Sequence, residues 1–265
     1  MKKRILAMLA ALSLTVAVLT VPAGACTAKQ LKTADALHSL GLFLGSEFGY
    51  ELDRTLTRAE GLTLLVRILG AESEAQSQSW SIPFSDVEDW ALPYVGYAWN
   101  HGITNGVGEA QFGSEETLMD CEFITMCLRA LGYSDSGANR QFVWENPYRL
   151  AYEIKVIDKY QRVQKFTRGD TVEVVWNCLA AGLNGEDRTM ADVLTENGVL
   201  TREGIEKAKT IREKGIVRTW EEFCALASGE QDAYYNGFAS PNDFFIWLSQ
   251  VKSDDMLSSA GSEVR

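Results

Sequence analysis

Histidine is nearly absent from this chain: His38 and His101 are the only two in 265 residues. That scarcity leaves no histidine-rich metal spacing, and no nucleophile motif is present either. Positive charge is short as well. Lys and Arg number 25 against 36 Asp and Glu, for a formal net charge of −11. A chain this acidic repels nucleic acid and anionic lipid as a whole. An anionic partner must be held by local devices, namely single arginines and helix N-termini. The five cysteines, Cys26, Cys121, Cys127, Cys178 and Cys224, are odd in number and match neither a zinc site nor a dense disulfide framework. Cys121 and Cys127 fall on different faces of one predicted helix and cannot pair without unwinding it. The cysteines read as small apolar packing groups. Nothing calls for a cofactor or a metal.

Long apolar runs are confined to the start. Lys2, Lys3 and Arg4 precede an apolar stretch over 5–21, Pro22 breaks it, and Ala23-Gly24-Ala25 follow. This is the pattern of an export signal, so residues 1–25 are expected to be removed and the protein secreted. A lipoprotein anchored through Cys26 is the second choice, because Ala23 stands where a larger aliphatic residue is usual. With no second long apolar run, no membrane span is expected after cleavage.

What is present is self-similarity. The stretch 55–70 recurs at 117–132 with Thr55, Leu56, Glu60, Thr63, Arg67, Leu69 and Gly70 unchanged. The apolar stripe Leu62, Leu65, Val66, Leu69 becomes Ile124, Cys127, Leu128, Leu131, and a third copy over 165–180 reads Val172, Val175, Trp176, Leu179. These are inner faces of amphipathic helices. Thr57 with Glu60 forms a capping box, Thr167 with Asp170 a weaker one, and Gly70 and Gly132 provide left-handed stops. Met119 takes the middle capping position, which leaves Thr117 or Asp120 to serve. Shorter helices over 34–40 and 93–100 precede the first two copies and end at Gly41 and Gly102; glycine-bounded turns follow at 41–45 and 102–106. Units that cannot bury their apolar faces alone must bury them together. The expected fold is all-α, with three helix-loop-helix units around a central three-helix bundle and a small C-terminal helical region.

The middle unit carries a recognisable series: Phe84-Ser85-Asp86-Val87, Trp90-Ala91, Pro93-Tyr94-Val95, His101-Gly102-Ile103-Thr104-Asn105-Gly106 and Phe112. With Thr57-Arg58-Ala59-Glu60 intact and Thr167-Arg168-Gly169-Asp170 in part, residues 30–185 resemble the S-layer homology family. The resemblance implies repeats at 30–70, 84–133 and 146–185 related by pseudo-threefold symmetry. It also implies grooves between them that bind secondary cell-wall polysaccharide, often pyruvylated. Arg58, Arg168, Trp90, Gly102, Gly106 and Gly41 are the ligand-binding residues so implied. The chemistry agrees: a planar guanidinium suits a carboxylate, an indole suits a sugar face, and glycine lets a ligand approach the backbone. Asp86 reads as a cap for the short helix, and His101 as a solvated helix end.

Three departures matter. Asp120 replaces the signature arginine in the middle unit and would repel a carboxylate. Lys155 replaces the loop glycine in the third. The first unit lacks the Phe-x-Asp and Trp-Ala lead. At most two grooves are expected to serve.

The stretch 71–81, rich in Ser, Gln and Glu, reads as a surface linker, as does 134–140. Helical segments are expected near 189–196, 201–214 and 219–226, with a last one from Ser240-Pro241 through Lys252 and a loose tail over 253–265. Phe223, Tyr234, Tyr235, Phe238, Phe244, Phe245 and Trp247 are expected to form a small aromatic core within 189–252. The sequence therefore points to non-catalytic wall attachment. The alternative is a degenerate scaffold that binds a protein partner through its C-terminal helices. An enzyme acting on wall glycan is the least supported: the acids Glu115, Glu116, Asp120 and Glu122 cluster at a helix start, where capping is their usual work.

Overall fold

The computed structural model describes residues 26–218, 220–226 and 231. The expected leader, the final helix, the tail and every member of the aromatic cluster except Phe223 lie outside them. Among the described residues the secondary structure is helical, with isolated β-bridges and no strand. The helices are α1 (Ala28–Ser39), α2 (Arg58–Ile68), α3 (Glu72–Gln76), α4 (Leu92–Asn100), α5 (Asp120–Ala130), α6 (Tyr148–Glu153), α7 (Arg168–Ala180), α8 (Met190–Glu196), α9 (Arg202–Lys214) and α10 (Trp220–Ala225). No described helix is long and apolar enough to cross a membrane.

The helix starts follow local chemistry. The Thr57 hydroxyl accepts from the Glu60 amide, and the Glu60 carboxylate accepts from the Thr57 amide at 2.9 Å. Thr167 and Asp170 repeat this at α7, and Thr189 with Asp192 at α8. Each reciprocal pair satisfies two amides that the helix itself cannot. At α5 the Met119 side chain caps nothing. Glu122 accepts from the Met119 amide and Asp120 from the Cys121 amide, so Asp120 serves and Thr117 does not.

The three long helices α2, α5 and α7 each pack against the other two. Their facing stripes Leu62, Leu65, Val66, then Ile124, Cys127, Leu128, Leu131, then Val172, Val175, Leu179 are all buried. Each such side chain contributes roughly 1.5–3 kcal/mol of transfer free energy. Cys127 and Cys178 meet in this core, where burial and their mutual contact push the Cys127 thiol far above its ordinary range. All five cysteines are free.

The helix N-termini are engaged cyclically. Arg58 and Ala59 amides at the start of α2 donate to the carbonyls of Glu116 and Ser114, ahead of α5. Arg168 and Gly169 amides at the start of α7 donate to Arg54 and Leu52, ahead of α2. At the start of α5, the Asp120 carboxylate accepts from the Val163 amide, ahead of α7, at 2.5 Å. Three seams result, each joining the start of one long helix to the loop that leads into another.

Several expectations need correction. Residues 71–81 do not form a plain linker: α3 lies there, Ala75 is buried, and its carbonyl accepts from the Trp80 indole at 2.7 Å. Trp80 then covers Gly96 of α4 so closely that an added Cβ would meet its Cβ at 2.2 Å. The first helix begins earlier than 34, at a Thr27–Gln30 capping box. Of the described C-terminal helices, α8 packs against α7 and α9 lies along α1. Glu173 of α7 joins them, meeting Lys29 at 2.7 Å, Arg212 at 3.2 Å and the Thr33 hydroxyl.

Candidate functional site

The residues expected to bind ligand fall at two of the three seams. Arg58 starts α2 and lies over the Phe112 ring, 5.2 Å from its centroid. This places it beside the loop 102–116, which carries Gly102 and Gly106. Arg168 starts α7 and lies over the Phe43 ring at 4.7 Å, beside the turn that carries Gly41. The structure thus brings each arginine to a glycine turn of a different stretch.

The two arginines differ in access. Arg58 is only 5% exposed, and its Nη1 lies 2.9 Å from Oε1 of Glu122 without hydrogen-bond alignment. Its Nε and Nη1, and the neighbouring Ser114 hydroxyl, are buried with no hydrogen-bond partner. Arg168 is half-buried. Its Nε is buried without a partner, and among the described residues no carboxylate lies within ion-pair distance of it. Burial lowers both guanidinium pKa values. At Arg58, Glu122 opposes this and the like charge of Arg129 adds to it; at Arg168, the like charge of Arg54 adds to it while Glu60 and Glu51 oppose it. A desolvated cation beside another cation is a place where an oxyanion gains binding energy.

Arg54 is itself spoken for, with Glu60 at 2.8 Å and Glu51 at 3.7 Å. Tyr50 flanks the same turn, tilted against Phe43 at 5.4 Å. Burial and the nearby Asp35 push its hydroxyl pKa up to about 12, so it stays a neutral donor. Leu44 on this turn and Phe48 on the next, between Ser46 and Gly49, are 65% and 78% exposed. Arg168 therefore brings a cation with an unpartnered buried Nε to this seam, over the buried Phe43 ring and beside the half-buried Tyr50, whose hydroxyl is engaged by Asp35.

The other expected residues behave differently from one another. Trp90 stands 46% exposed, its indole donating to the Glu88 carboxylate. Gly41 and Gly102 have φ of +73° and +68° with open space where a Cβ would be. Gly106 corrects the expectation of close ligand approach: its missing Cβ would meet Phe84 at 2.4 Å and the Gln111 carbonyl at 2.5 Å. That space belongs to the protein. Asp86 caps no helix. Its two oxygens accept from the amides of Phe112 and Gly113 at 2.7 and 2.8 Å. Desolvation opposes its ionisation, yet those amides prevail and hold the carboxyl below its ordinary value.

The third seam is closed. Asp120 is 1% exposed, and its carboxylate accepts from the Cys121 amide, the Val163 amide and the Tyr148 hydroxyl. The chain's own carboxylate fills the position. His38 and His101 each point a ring nitrogen at a backbone carbonyl, of Phe43 and Tyr97. Among the described residues no group of three or more His, Cys, Asp or Glu is placed to hold a metal ion.

Sequence reasoning did not single out Phe43, Tyr50, Ser114 or the pairing of Glu122 with Arg58. Phe112 closed the motif series, but its place beneath Arg58 depends on a contact between distant stretches.

No family model matches the chain. Among curated proteins it is similar to the middle cell wall protein of Brevibacillus brevis, 32% identical over 76% of this chain and 20% of that protein. The surface layer protein of Brevibacillus choshinensis is 35% identical over 55% of this chain and 14% of its own length. A cell surface protein of Thermoanaerobacter kivui is 33% identical over 32% of this chain and 12% of its own. The chain thus spans a fifth or less of the length of these relatives.

Proposed function

We propose that this chain is an exported, non-catalytic module of the cell surface that holds acidic wall polysaccharide at the seams between its helical units, with Arg168 as the principal anion contact. The buried guanidinium nitrogens without acceptors carry this reading: Arg168 Nε, and Arg58 Nε and Nη1. Leaving a buried donor unmet costs about 1–3 kcal/mol, which a ligand oxygen would return. The names of the relatives, all wall or surface proteins, favour the same setting. Arg168 would meet a carboxylate such as a pyruvate ketal, the half-buried Tyr50 would meet the sugar, and Gly41 leaves room at the turn. Arg58 with Gly102 and Trp90 is the second, more enclosed contact.

Sedimentation with purified wall sacculi tests this. Wild type should co-sediment, and stripping the non-peptidoglycan polymer should abolish it. Arg168→Ala should lose retention several-fold. Arg67→Ala should retain it, because Arg67 is engaged by Glu72 and Tyr94 away from the seams. Equal retention of the two variants would defeat the seam assignment.

A second reading has one observation behind it. A groove of ≈890 Å³ lies between α1, α7, α8 and α9, with Leu40, Trp176, Leu179 and Ile205 in its lining. A scaffold that binds a protein there would show no wall retention at all.

A further inference from the structure

Helices α8 and α9 repeat the local design of the first three units. The Val199 amide, just after Gly198, donates to the Leu194 carbonyl five residues back at 2.8 Å. Leu42 after Gly41, Ile103 after Gly102 and Val156 after Lys155 make the same bond, to Leu37, Ala98 and Ala151. The turn residue has positive φ in all four cases, +74° at Gly198. Thr201-Arg202 then opens α9 as Thr57-Arg58 and Thr167-Arg168 open α2 and α7, with the Thr201 hydroxyl accepting from the Gly204 amide at 3.0 Å. Short helix, left-handed turn and threonine-capped long helix thus occur a fourth time. One part is missing. The turn leads straight into the cap of α9, without the loop that forms a seam in the other units.

The ≈890 Å³ groove runs along this fourth unit, between α9, α8, α7 and the end of α1. Its floor is apolar. Leu40, Trp176, Leu179 and Ile205 line it, and all of these except Leu179 are left half-buried. Its rim carries four carboxylates and three cations, and two of those cations are already paired, Lys209 with Glu206 and Arg212 with Glu173. A polyanion therefore finds no excess of positive charge here. A groove that is apolar below and mixed in charge above suits the apolar face of an amphipathic helix.

The chain's own sequence supplies such a face. Over 240–252, Ser240-Pro241 is a helix start signal, and Phe244, Trp247, Leu248 and Val251 stand at i, i+3, i+4 and i+7. Leu62, Leu65, Val66 and Leu69 have the same spacing in α2. Asp243, Ser249, Gln250 and Lys252 leave the other side polar. This segment lies outside the described residues, but the chain before it stops within reach of the groove. Arg218 donates to the carboxylate of Asp35 on α1, and the Gln231 side chain donates to the Phe223 and Leu226 carbonyls at 3.2 and 3.1 Å. The stretch from 231 to 240 can span about 30 Å, more than the roughly 20 Å length of α9. We infer that 241–252 folds as a helix in this groove, setting Phe244, Trp247, Leu248 and Val251 against Leu40, Trp176, Leu179 and Ile205. The fourth unit then gains the cover that its missing loop does not provide, and the groove is closed to a protein partner. Wall binding at the seams is a separate matter, and either can fail alone.

The test uses the full chain with the photo-cross-linker p-benzoylphenylalanine at Ile205, in the groove, or at Lys207, exposed on the other side of α9. Irradiation should join position 205 to the tryptic peptide 219–252 of the same chain, with the attachment among 244–251. Position 207 should give no such product. Trp247→Asp with Leu248→Asp should remove the cross-link and speed hydrogen exchange in α9 about tenfold. Ser249→Asp, on the opposite face of the stripe, should change neither. A cross-link found only between two chains assigns the groove to a second copy and overturns the inference. So does the lack of any link to 240–252, or exchange in α9 that the double substitution does not move. The cross-link is first read in a chain whose 240–252 is unaltered, so it decides the matter even if the double variant fails to fold. Retention on wall sacculi should be the same with and without the cross-linker at position 205, which keeps this outcome apart from that of the seams.

Discussion

At the residue scale, one position carries a cost that its counterparts avoid. Lys155, Gly41 and Gly102 all turn the chain with positive φ after a short helix. A side chain in this region costs about 1–2 kcal/mol, while glycine loses more conformational entropy on folding, about 0.5–1 kcal/mol. The difference favours glycine. Lys155→Gly is therefore expected to stabilise the protein by about 0.5–1 kcal/mol in urea unfolding. Unchanged or lower stability would show that the turn is not strained.

Asp86 makes a pH-dependent prediction at the same scale. Its folded pKa lies below its unfolded one, because the Phe112 and Gly113 amides favour the carboxylate. A group depressed in this way contributes its stability above the unfolded value, near 3.9, and loses it as pH falls through the folded value. The site is exposed, so solvent screens the interaction and about 1 kcal/mol is a suitable scale for its two charge-assisted bonds. Asp86→Asn should lower the melting temperature at pH 7, and the gap to wild type should begin to narrow as pH falls below about 4. A gap that does not change with pH would assign the effect to packing rather than charge.

At the scale of elements, capping decides how well each long helix starts. Thr57 and Thr167 complete their boxes, whereas Met119 leaves one half open although Glu122 already supplies the other. Met119 is extended at φ −88° and ψ 154°, as a capping residue should be, and 41% exposed. Met119→Thr is therefore expected to add about 1 kcal/mol, which is the usual value of such a cap. Thermal unfolding followed at 222 nm checks it, and a fall in melting temperature would mean that the Met119 contact with Arg162 outweighs the cap. These helix starts were legible in the sequence because a capping box is complete within four residues. The apolar stripes were legible for the same reason. What escaped was set by distant partners. The stretch 71–81 looked like linker because its Ser, Gln and Glu carry no stripe, yet Trp80 anchors α3 through the Ala75 carbonyl. Asp86 looked like a cap because its nearest helix was the only partner visible along the chain; its actual partners are the amides of Phe112 and Gly113.

At the scale of the whole molecule, the seams close on themselves. The start of α2 leans on the loop before α5, the start of α5 on the loop before α7, and the start of α7 on the loop before α2. The candidate site arises from this closure, since Arg168 reaches Phe43 only when the last long helix returns to the first stretch. Residue type made Arg168 visible in the sequence, but its buried, unpartnered Nε follows from the tertiary contact alone. Cyclic dependence has an energetic consequence: no long helix keeps its N-terminal partners if another leaves. Leu118 tests this. It is 1% exposed, its amide donates to the Leu56 carbonyl, and its Cδ2 lies 2.3 Å from where a Cβ on Gly61 of α2 would be. Leu118→Ala should cost about 2–5 kcal/mol and lower the melting temperature by on the order of 10 °C for a domain of this size. Because the seams are linked, the loss should fall on all three long helices alike. In hydrogen exchange read by mass spectrometry, peptides from α2, α5 and α7 should lose protection together and by the same factor. If α7 kept its wild-type protection while α2 and α5 opened, the units would be folding separately, and the seam at Arg168 would not depend on the others.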